Sequence, residues 1–380
     1  MNSTISPNSL PKVTVIVPAR NEEANLERCL RSLVLQKGVT FEILVVDDGS
    51  TDGTRTIAEN FTRARQCPFI ALNENLIDVH VLDAPAPLPP GWSGKVNAMV
   101  AGETAAQGEW LLFTDADTEH LEGSLAAAVA EAEQHKADLL SYSPEQILTG
   151  FRQQLLMPVI FGELALKYSP RRVSDPALPD AAANGQYLLA RAAVHRKIGG
   201  FGSVATDLLE DVALARRYKS QGHTIRFRLG RGLVRTRMYS TWDELRLGWT
   251  KNLALLFPNA RELAKRRVAE FNRLLFSLVL TPFWTLFYFS RGGTPGDWFL
   301  PTVISLFWLI TLGNLAIFYI RVSRAHFPFV PTLFSIFGLR SFGRLLRESA
   351  KAHEEGTVTW RGRAYNTIGA AGRQTASNSK

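Results

Sequence analysis

Short apolar runs alternate with amphipathic stretches along the first third of the chain. Residues 13–17 (VTVIV) predict a buried strand, and the segment that follows places Leu26, Leu30 and Leu33 at helical spacing. Residues 41–46 (FEILVV) predict a second buried strand. A strand, a helix and a strand in this order imply a parallel sheet.

The same alternation continues to residue 120. Helices are predicted over 51–64 and 94–106, and strands over 79–82 and 109–117. In an open sheet of this kind, ligands bind beyond the carboxyl ends of the strands. Four acidic residues follow strand ends and are expected at that edge: Asp47, Asp48, Asp115 and Asp117. The sequence therefore predicts a nucleotide-binding α/β half over 12–120.

Beyond this half the pattern is more mixed. Residues 121–260 contain an apolar helical stretch at 151–168 and a Pro-rich loop at 170–180. We expect this part to build an acceptor half, so that 12–260 forms one catalytic domain behind a polar tail at 1–11. A chain of 380 residues is long enough for such a domain and an appendage.

Two long uncharged runs follow, at 274–290 and 298–320. The second can cross a hydrocarbon core of about 30 Å, whereas the first is shorter and carries Pro282. Basic residues flank the pair, so the positive-inside rule predicts a multi-pass membrane protein whose catalytic domain faces the cytoplasm. The alternative is a buried helical hairpin in a soluble protein.

A third apolar piece, at 327–339, is too short to span a membrane. It contains Pro328 and Pro331, which favours a position in the membrane interface. The sequence therefore predicts membrane-anchoring helices over 261–345 and a basic cytoplasmic tail over 346–380.

Charge is distributed unevenly along the chain. The segment from Arg261 to the end carries 16 of the 43 Lys and Arg residues but 6 of the 35 Asp and Glu residues. These cations flank uncharged runs, which fits an anionic lipid surface better than a nucleic acid. Cys29 and Cys67 have no metal-ligand spacing and are expected to be reduced. The polar start of the chain predicts no cleaved signal peptide.

Four short motifs occur in one order: PARNEE at 18–23, VDDGSTDGT at 46–54, TDADT at 114–118 and LLEDVALARR at 208–217. In this combination the chain resembles the family 2 glycosyltransferases over roughly residues 12–255. The resemblance implies a GT-A fold, in which a mixed α/β nucleotide-binding sheet flanked by helices joins an acceptor half. It also implies a UDP-sugar donor, a divalent metal (Mg²⁺ or Mn²⁺) and inversion at the anomeric carbon.

The Asp-Ala-Asp turn is the predicted metal site. The resemblance assigns Asp115 to the nucleotide and the metal, and Asp117 to the metal. Physical chemistry agrees, because these metals prefer oxygen ligands and stabilise a diphosphate leaving group as its charge grows. A solvated acidic turn is the alternative, but this turn follows the apolar run WLLF directly.

Further donor contacts are implied by the same resemblance. Asp48 is assigned to the uracil ring, and Pro18, Asn21 and Glu22 to the nucleoside. Helix capping and a first-turn acid are the alternative for Asn21 and Glu22. Lys95 lies at a predicted helix start, where a cation opposes the helix dipole, so a diphosphate contact would explain its position. An exposed surface lysine is the alternative.

Glu210 and Asp211 open the helical run of the fourth motif. An inverting transfer needs a base that takes the proton of the acceptor hydroxyl, and such a base contributes about 10²–10⁴-fold. The resemblance assigns this catalytic role to Asp211. The alternative is an exposed helix N-terminus with favourable acids.

Processive members of the family carry a Q-x-x-R-W motif, which this sequence lacks. Candidate substitutes for its contacts, which amphipathic packing explains equally well, are Arg237, Tyr239, Trp249 and Lys251. Gly185 and Gln186 match the stretch that lines the acceptor cleft in the family. His195 is predicted to be a helix-surface residue, and no histidine falls in an HExxH pattern.

The C-terminal apolar segments and the stretch VTWRGRAY at 358–365 resemble the subgroup associated with carotenoid and hopanoid biosynthesis. This implies a lipid or isoprenoid alcohol acceptor, a hydroxylated carotenoid, with glucose as the expected sugar. The enzymatic alternative is a polyprenyl-phosphate, glycolipid or polysaccharide glycosyltransferase, and the non-enzymatic one is an inactive membrane scaffold. No G-x-G-x-x-G follows the first strand, which argues against an NAD-binding protein.

Overall fold

The computed structural model of the protein describes residues 10–62, 77–292, 298–360 and 363–365. The predictions for Cys67 and for most of both tails lie outside these residues. The chain divides into two compact units. The first spans 1–147 and 168–238, and the second spans 148–167 and 239–380.

The helices and strands follow one another along the whole chain. The strands are β1 (Val13–Ala19), β2 (Phe41–Asp47), β3 (Asp78–Asp83), β4 (Trp110–Thr114), β5 (Thr118–His120), β6 (Leu139–Ser143), β7 (Glu145–Gln146), β8 (Tyr187–Arg191), β9 (Ile225–Leu229), β10 (Val234–Thr236), β11 (Val358–Trp360) and β12 (Arg363–Tyr365). The helices are α1 (Leu26–Val34), α2 (Thr54–Thr62), α3 (Gly94–Ala105), α4 (Ser124–Gln134), α5 (Phe151–Lys167), α6 (Pro170–Ser174), α7 (Ala192–Lys197), α8 (Glu210–Ser220), α9 (Trp242–Leu256), α10 (Ala260–Ser290), α11 (Phe299–Ser323), α12 (Phe329–Phe334) and α13 (Gly338–Glu354).

A mixed sheet forms the centre of the first unit, with the strand order β3-β2-β1-β4-β8-β6-β9. Strand β1 pairs in parallel with β2 and β4, and β2 pairs in parallel with β3. Strand β8 runs antiparallel to both β4 and β6. The carboxyl ends of β1, β2 and β4 therefore meet the amino end of β8 at one edge of the sheet. The predicted mixed α/β sheet of GT-A type is confirmed.

Both faces of this sheet are covered. Successive residues of β1 point to opposite sides, so Val15 and Val17 join one core while Ile16 joins the other. The same holds in β4, where Leu112 and Phe113 enter different cores. Continuous apolar strands are typical of sheets with helices on both faces, which explains why the strand runs read so clearly in the sequence.

One local prediction in this unit is wrong. The segment 170–180 does not consist of loop alone, because it begins with the short helix α6. Pro170 occupies a first-turn position of that helix, where its missing N–H would have no helical partner in any case. A cluster of prolines therefore marks a helix start here as well as a loop.

The second unit is mainly helical. Helices α5 and α9, which the sequence places in the acceptor half, pack against α13 in this unit. Gly338 and Gly343 permit close approaches, because an added Cβ at Gly343 would lie 2.6 Å from Val268 Cγ2 of α10. The predicted apolar piece at 327–339 contains α12 and the start of α13.

Helices α10 and α11 are long and apolar enough to cross a membrane, by length and composition. Their most apolar windows are only 11% and 17% buried within the protein. Large side chains such as Phe276 and Leu309 are 66% and 69% exposed. A buried helical hairpin would show the opposite distribution, since its apolar side chains would be covered by protein.

Four charged side chains form a cluster where α5, α10 and α11 meet. Arg321 Nη2 lies 2.9 Å from Glu270 Oε1, and Arg321 Nε lies 3.0 Å from Glu163 Oε1. Arg267 contacts the same two carboxylates, each at 2.8 Å. Glu163, Glu270 and Arg321 are buried. Two positive and two negative groups therefore balance within the protein and join three helices.

Candidate active site

Lys95 lies at the edge of the sheet where the carboxyl ends of β1, β2 and β4 meet the amino end of β8. Its Nζ is 2.7 Å from Asp115 Oδ1 and 3.5 Å from Glu210 Oε1. Asp211 follows Glu210 and accepts a hydrogen bond from the Gly185 N–H at 2.9 Å. The structure thus brings together residues from two of the four motifs, from the start of α3 and from the loop before β8. Lys95 is not an isolated surface lysine, which was the alternative for this residue.

Two helix starts supply the charged groups. Helix α3 begins at Gly94, and the Ser93 hydroxyl caps it by accepting the Val96 N–H at 3.1 Å. Lys95 is the second residue of this helix, where the dipole disfavours a cation. Helix α8 begins at Glu210, where the dipole favours acids. The contact between the two helix starts offsets the unfavourable position of Lys95.

The carboxylate of Asp211 is held on both sides by the backbone. Its Oδ2 accepts the Gly185 N–H, and its Oδ1 accepts the Val212 N–H at 2.8 Å. Burial raises the pKa of Asp211 to about 6, and the charge of Glu210 acts in the same direction. The two N–H groups and Lys95 oppose this rise. The result is a fixed carboxylate that changes protonation state near neutral pH.

Gly185 keeps space open beside this carboxylate. A Cβ added there would lie 3.3 Å from Lys95 Nζ and 3.5 Å from Asp211 Oδ2. The neighbouring Gln186 is buried, and its carbonyl accepts a hydrogen bond from Thr114 Oγ1 at 2.9 Å. The loop therefore joins the end of β4 to the acid pair of α8.

Asn21 connects the loops that follow β1 and β2. Its Oδ1 accepts the Thr51 N–H at 2.8 Å, and its own N–H donates to Ser50 Oγ at 3.1 Å. Its φ of +52° is in the left-handed region, which Asn tolerates better than most residues. Asn25, not Asn21, precedes α1, so the helix-capping alternative for Asn21 is wrong.

Glu22 and Pro18 lie beside Asn21. Glu22 is buried, its N–H donates to Thr54 Oγ1 at 2.7 Å, and its carboxylate accepts a hydrogen bond from Asn25. The acid in the first turn of α1 is Glu27, so the first-turn alternative for Glu22 is wrong too. Pro18 lies within β1 opposite Val46 of β2.

The two adjacent acids at the end of β2 have different partners. Asp47 Oδ1 accepts the Ser50 N–H at 3.0 Å, whereas Asp48 Oδ2 lies 3.4 Å from Arg20 Nη1. Burial raises the pKa of Asp48, and Arg20 counteracts that rise. Arg20 was not singled out in the sequence, although it belongs to the first motif. Its 28-residue separation from Asp48 gives no sign of this contact in the sequence.

Asp115 and Asp117 follow β4 as predicted. The Asp117 carbonyl accepts a hydrogen bond from Thr236 Oγ1 at 3.3 Å, and Cys29 Sγ donates to the Asp115 carbonyl at 3.7 Å. Burial raises the pKa of the Cys29 thiol, which suits a reduced structural cysteine. In the described part of the chain no group of three or more His, Cys, Asp or Glu side chains is placed to hold a metal.

His195 is fully buried, so its prediction as a helix-surface residue is wrong. Its Nε2 lies 2.7 Å from Glu103 Oε1 of α3, and its Nδ1 lies 3.0 Å from the Tyr218 hydroxyl of α8. These are the two helices whose first turns carry Lys95 and the acid pair. Helix α7 has six residues, which is too short for periodicity to reveal its buried face.

The candidate substitutes for the Q-x-x-R-W motif fall in both units. Arg237 is exposed in the first unit, whereas the other three belong to the second. Tyr239 and Trp249 are buried there, and Trp249 packs edge to face with Phe161. The Lys251 carbonyl accepts a hydrogen bond from His353. Packing therefore accounts for Tyr239 and Trp249.

The model of glycosyl transferase family 2 matches residues 14–181. Over these residues the chain is similar to the family 2 glycosyltransferases. The matched stretch contains the loops with Asn21 and Asp48, the start of α3 with Lys95, and the turn with Asp115 and Asp117. The predicted family resemblance is confirmed for the stretch that holds the first three motifs, and the fourth motif at 208–217 lies beyond it.

Relatives and solved structures extend this finding. The chain is 29% identical over 250 residues to a 4,4'-diaponeurosporenoate glycosyltransferase of Staphylococcus aureus (strain MRSA252), covering 64% of this chain. The enzyme of the same name from strain USA300 is 27% identical. The chain spans 60% of the length of these curated relatives. The mannosyltransferase PcManGT from Pyrobaculum calidifontis, solved with GDP-Man and Mn²⁺, has a TM-score of 0.53 at 16% identity. That likeness covers 91% of this chain and 88% of the other, and it shows the fold.

Proposed function

We propose that the chain is an inverting glycosyltransferase that moves a sugar, glucose in our expectation, from a UDP-sugar to a lipid or isoprenoid acceptor. The observation that carries this proposal is the cluster of Lys95, Asp115, Glu210 and Asp211 at the edge of the sheet. It places a cation for a diphosphate beside a carboxylate that can act as a base. The similarity to family 2 and the names of the curated relatives support the same reaction class.

In the proposed reaction Asp211 takes the proton of the acceptor hydroxyl. The acceptor oxygen attacks the anomeric carbon, the bond from that carbon to the diphosphate oxygen breaks, and the nucleoside diphosphate leaves with the electron pair. Asp211 suits the base because its two backbone N–H partners fix its orientation. Lys95 stabilises the charge that develops on the leaving diphosphate.

The residues at the strand edge fit a divalent cation as well. Asp115 and Asp117 offer hard oxygen donors, and two carboxylates leave coordination positions for diphosphate oxygens and water. A bound Mg²⁺ or Mn²⁺ would supply further stabilisation of the leaving group. Pro18, Asn21, Glu22 and Asp48 are proposed to hold the nucleoside. The hydrogen bond from the Thr51 N–H to Asn21 Oδ1 would hold the two loops of this part of the site together.

Lys95 is expected to affect nucleotide and metal in opposite directions. In Lys95→Met the affinity for the nucleotide sugar falls about tenfold or more, because a charged hydrogen-bond donor to the diphosphate is lost. The affinity of the protein alone for Mn²⁺ rises by about threefold to tenfold, because Asp115 loses its internal counter-ion. Isothermal titration measures both, with the exposed Lys197→Met as the matched control. A fall in both affinities would contradict the assigned role.

The acceptor class has a second candidate. The name of the curated relatives denotes a carboxylate, whereas the C-terminal sequence pattern favours a hydroxylated carotenoid. A carboxylate is already ionised at neutral pH and needs no base, whereas a hydroxyl needs one, and the fixed carboxylate of Asp211 supports the hydroxyl. A polyprenyl phosphate needs no base for the same reason.

We further propose that α10 and α11 insert into a membrane with the catalytic unit on the cytoplasmic side. The exposed apolar side chains of both helices support insertion, and the distribution of basic residues supports the orientation. An acceptor dissolved in the bilayer would then reach the enzyme without leaving the lipid.

The reaction is tested with the full chain in detergent, radiolabelled UDP-glucose, and either Mn²⁺ or EDTA. The acceptors are a hydroxylated carotenoid, a carotenoid carboxylate and a polyprenyl phosphate, each supplied separately. We expect metal-dependent label in the extracted hydroxyl product. Label in one of the other two lipids would reassign the acceptor, and no transfer or hydrolysis with any nucleotide sugar would favour the inactive scaffold.

A further inference from the structure

Exposed arginines lie near the start of the apolar part of α10, which is level with the end of the apolar part of α11. The two helices run antiparallel, since Thr281 contacts Thr311 at 3.1 Å and Glu270 contacts Arg321 at 2.9 Å. Residue 273 of α10 therefore lies level with the last turns of α11. From this level to Phe289 at the other end, the exposed apolar surface extends over about 24 Å. That height approaches a hydrocarbon core of about 30 Å.

Three arginines mark this level from three different helices. Arg273 lies on α10, Arg324 ends α11 and Arg340 lies in the first turn of α13. Helix α13 runs antiparallel to α10, because Arg261 pairs with Glu354 while Gly343 packs near Val268. Its start, with Arg340, is therefore the end nearer the apolar half of α10. We call these three residues the arginine collar.

The collar differs from five other cations of the same helices. All three of its members are exposed, and in the described part of the chain none of them forms an ion pair. By contrast, Arg261, Arg266 and Arg344 each pair with a glutamate, and Arg267 and Arg321 belong to the balanced buried cluster. Lys265 and Arg347 are also exposed and form no ion pair among the described residues, but they lie farther from the apolar half of α10, and Arg291 lies at its opposite end.

Helix α12 adds an apolar surface at the same end. It lies between the end of α11 and the start of α13, and Phe329, Val330 and Phe334 are exposed. A short helix with exposed aromatic and aliphatic side chains beside arginines is typical of the boundary between acyl chains and headgroups. The collar would accordingly lie at the depth of the lipid phosphates.

We propose that the arginine collar binds the phosphate groups of anionic phospholipids, and so selects an anionic membrane surface. The inference rests on the proposed insertion of α10 and α11. A guanidinium offers paired N–H donors to a phosphate, and in a zwitterionic lipid the headgroup ammonium competes for that phosphate. Each arginine near an anionic surface contributes about fivefold in affinity.

The test uses the full chain reconstituted into phosphatidylcholine vesicles that contain a trace of pyrene-labelled phosphatidylglycerol or pyrene-labelled phosphatidylcholine. Energy transfer from the tryptophans of α10 and α11 measures which labelled lipid is enriched around the protein. We expect about tenfold or greater enrichment of phosphatidylglycerol, falling with added salt. The triple variant Arg273→Gln, Arg324→Gln, Arg340→Gln loses it, whereas Arg→Lys at the same positions keeps most of it.

The matched control replaces three exposed cations of the first unit, Lys37, Lys197 and Arg231, with Gln. It has the same change in net charge and is expected to keep the enrichment. Equal transfer from both lipids in the wild type overturns the collar while leaving insertion intact. Failure of the wild type to float with vesicles of either kind overturns the proposed insertion itself. If the Gln variant does not fold, the salt dependence in the wild type and the Lys variant decide the question.

Discussion

Asp211→Asn lowers kcat for a hydroxyl acceptor by about 10²–10⁴-fold, while the affinity for the nucleotide sugar changes by no more than a few-fold. The amide keeps the shape of the side chain and can still accept one backbone N–H, but it cannot take a proton. The loss is therefore expected in the chemical step. Single-turnover transfer from a saturating UDP-sugar measures it, and Glu122→Gln, an exposed acid of the same unit, serves as the control.

In the same experiment, the wild-type kcat is expected to rise with pH. Because burial and Glu210 raise the pKa of Asp211 to about 6, the carboxyl is protonated and inactive below that pH. The wild-type kcat rises as pH passes through about 6 and levels off above 7. Asp211→Asn abolishes this rise. If Glu210→Gln abolishes it instead and Asp211→Asn preserves it, Glu210 is the base.

The parallel part of the sheet was predictable because its strands are buried on both faces. Runs such as 13–17 and 41–46 contain little but apolar residues, and each ends in the polar groups that the sheet brings to one edge. Asp115 could therefore be placed at this edge from its own strand alone. Asp211 follows no strand, and only the resemblance of the fourth motif assigned it a role in the site.

Other features depend on pairings that one sequence does not contain. Strand β8 runs antiparallel to its neighbours, and this brings Gly185 to the acid pair. Nothing in the residues of β8 specifies that direction. His195 bridges α3 and α8 across 92 and 23 residues, and a histidine between a valine and an arginine carries no sign of such partners. Contacts between distant polar side chains are set by packing, and hydrophobic periodicity does not report them.

The buried charge cluster shows the same limit in the second unit. In the sequence, Arg321 is one of the basic residues that follow the second uncharged run. The structure places it inside, against Glu163 and Glu270, while Arg324 three residues later is exposed. Neither glutamate stands out in the sequence, since Glu163 is the one acid of α5 and Glu270 follows a basic stretch of α10. Their convergence requires α5, α10 and α11 to pack together.

Arg321→Met is expected to destabilise the second unit by about 3–5 kcal/mol, because it leaves one buried negative charge without its partner. For a unit of this size that corresponds to a fall in Tm of roughly 6–20 °C. Six of the eight tryptophans lie in the second unit, so tryptophan fluorescence of the full chain in detergent reports mainly its unfolding. Arg324→Met, the exposed arginine one turn away, should change Tm by no more than about 2 °C.

A double variant separates the loss of a partner from the loss of packing. In Arg321→Met combined with Glu270→Met, one positive and one negative charge are removed, and Arg267 with Glu163 remains a balanced pair. The double variant is therefore expected to be more stable than Arg321→Met alone, since replacing a buried ion pair with apolar groups is often neutral. If the two losses simply add, the cluster does not act as a charge-balanced unit. A helix pair that inserts into lipid with this cluster at its base needs the balance, because an unpaired charge beside the hydrocarbon would favour withdrawal of the helices toward water.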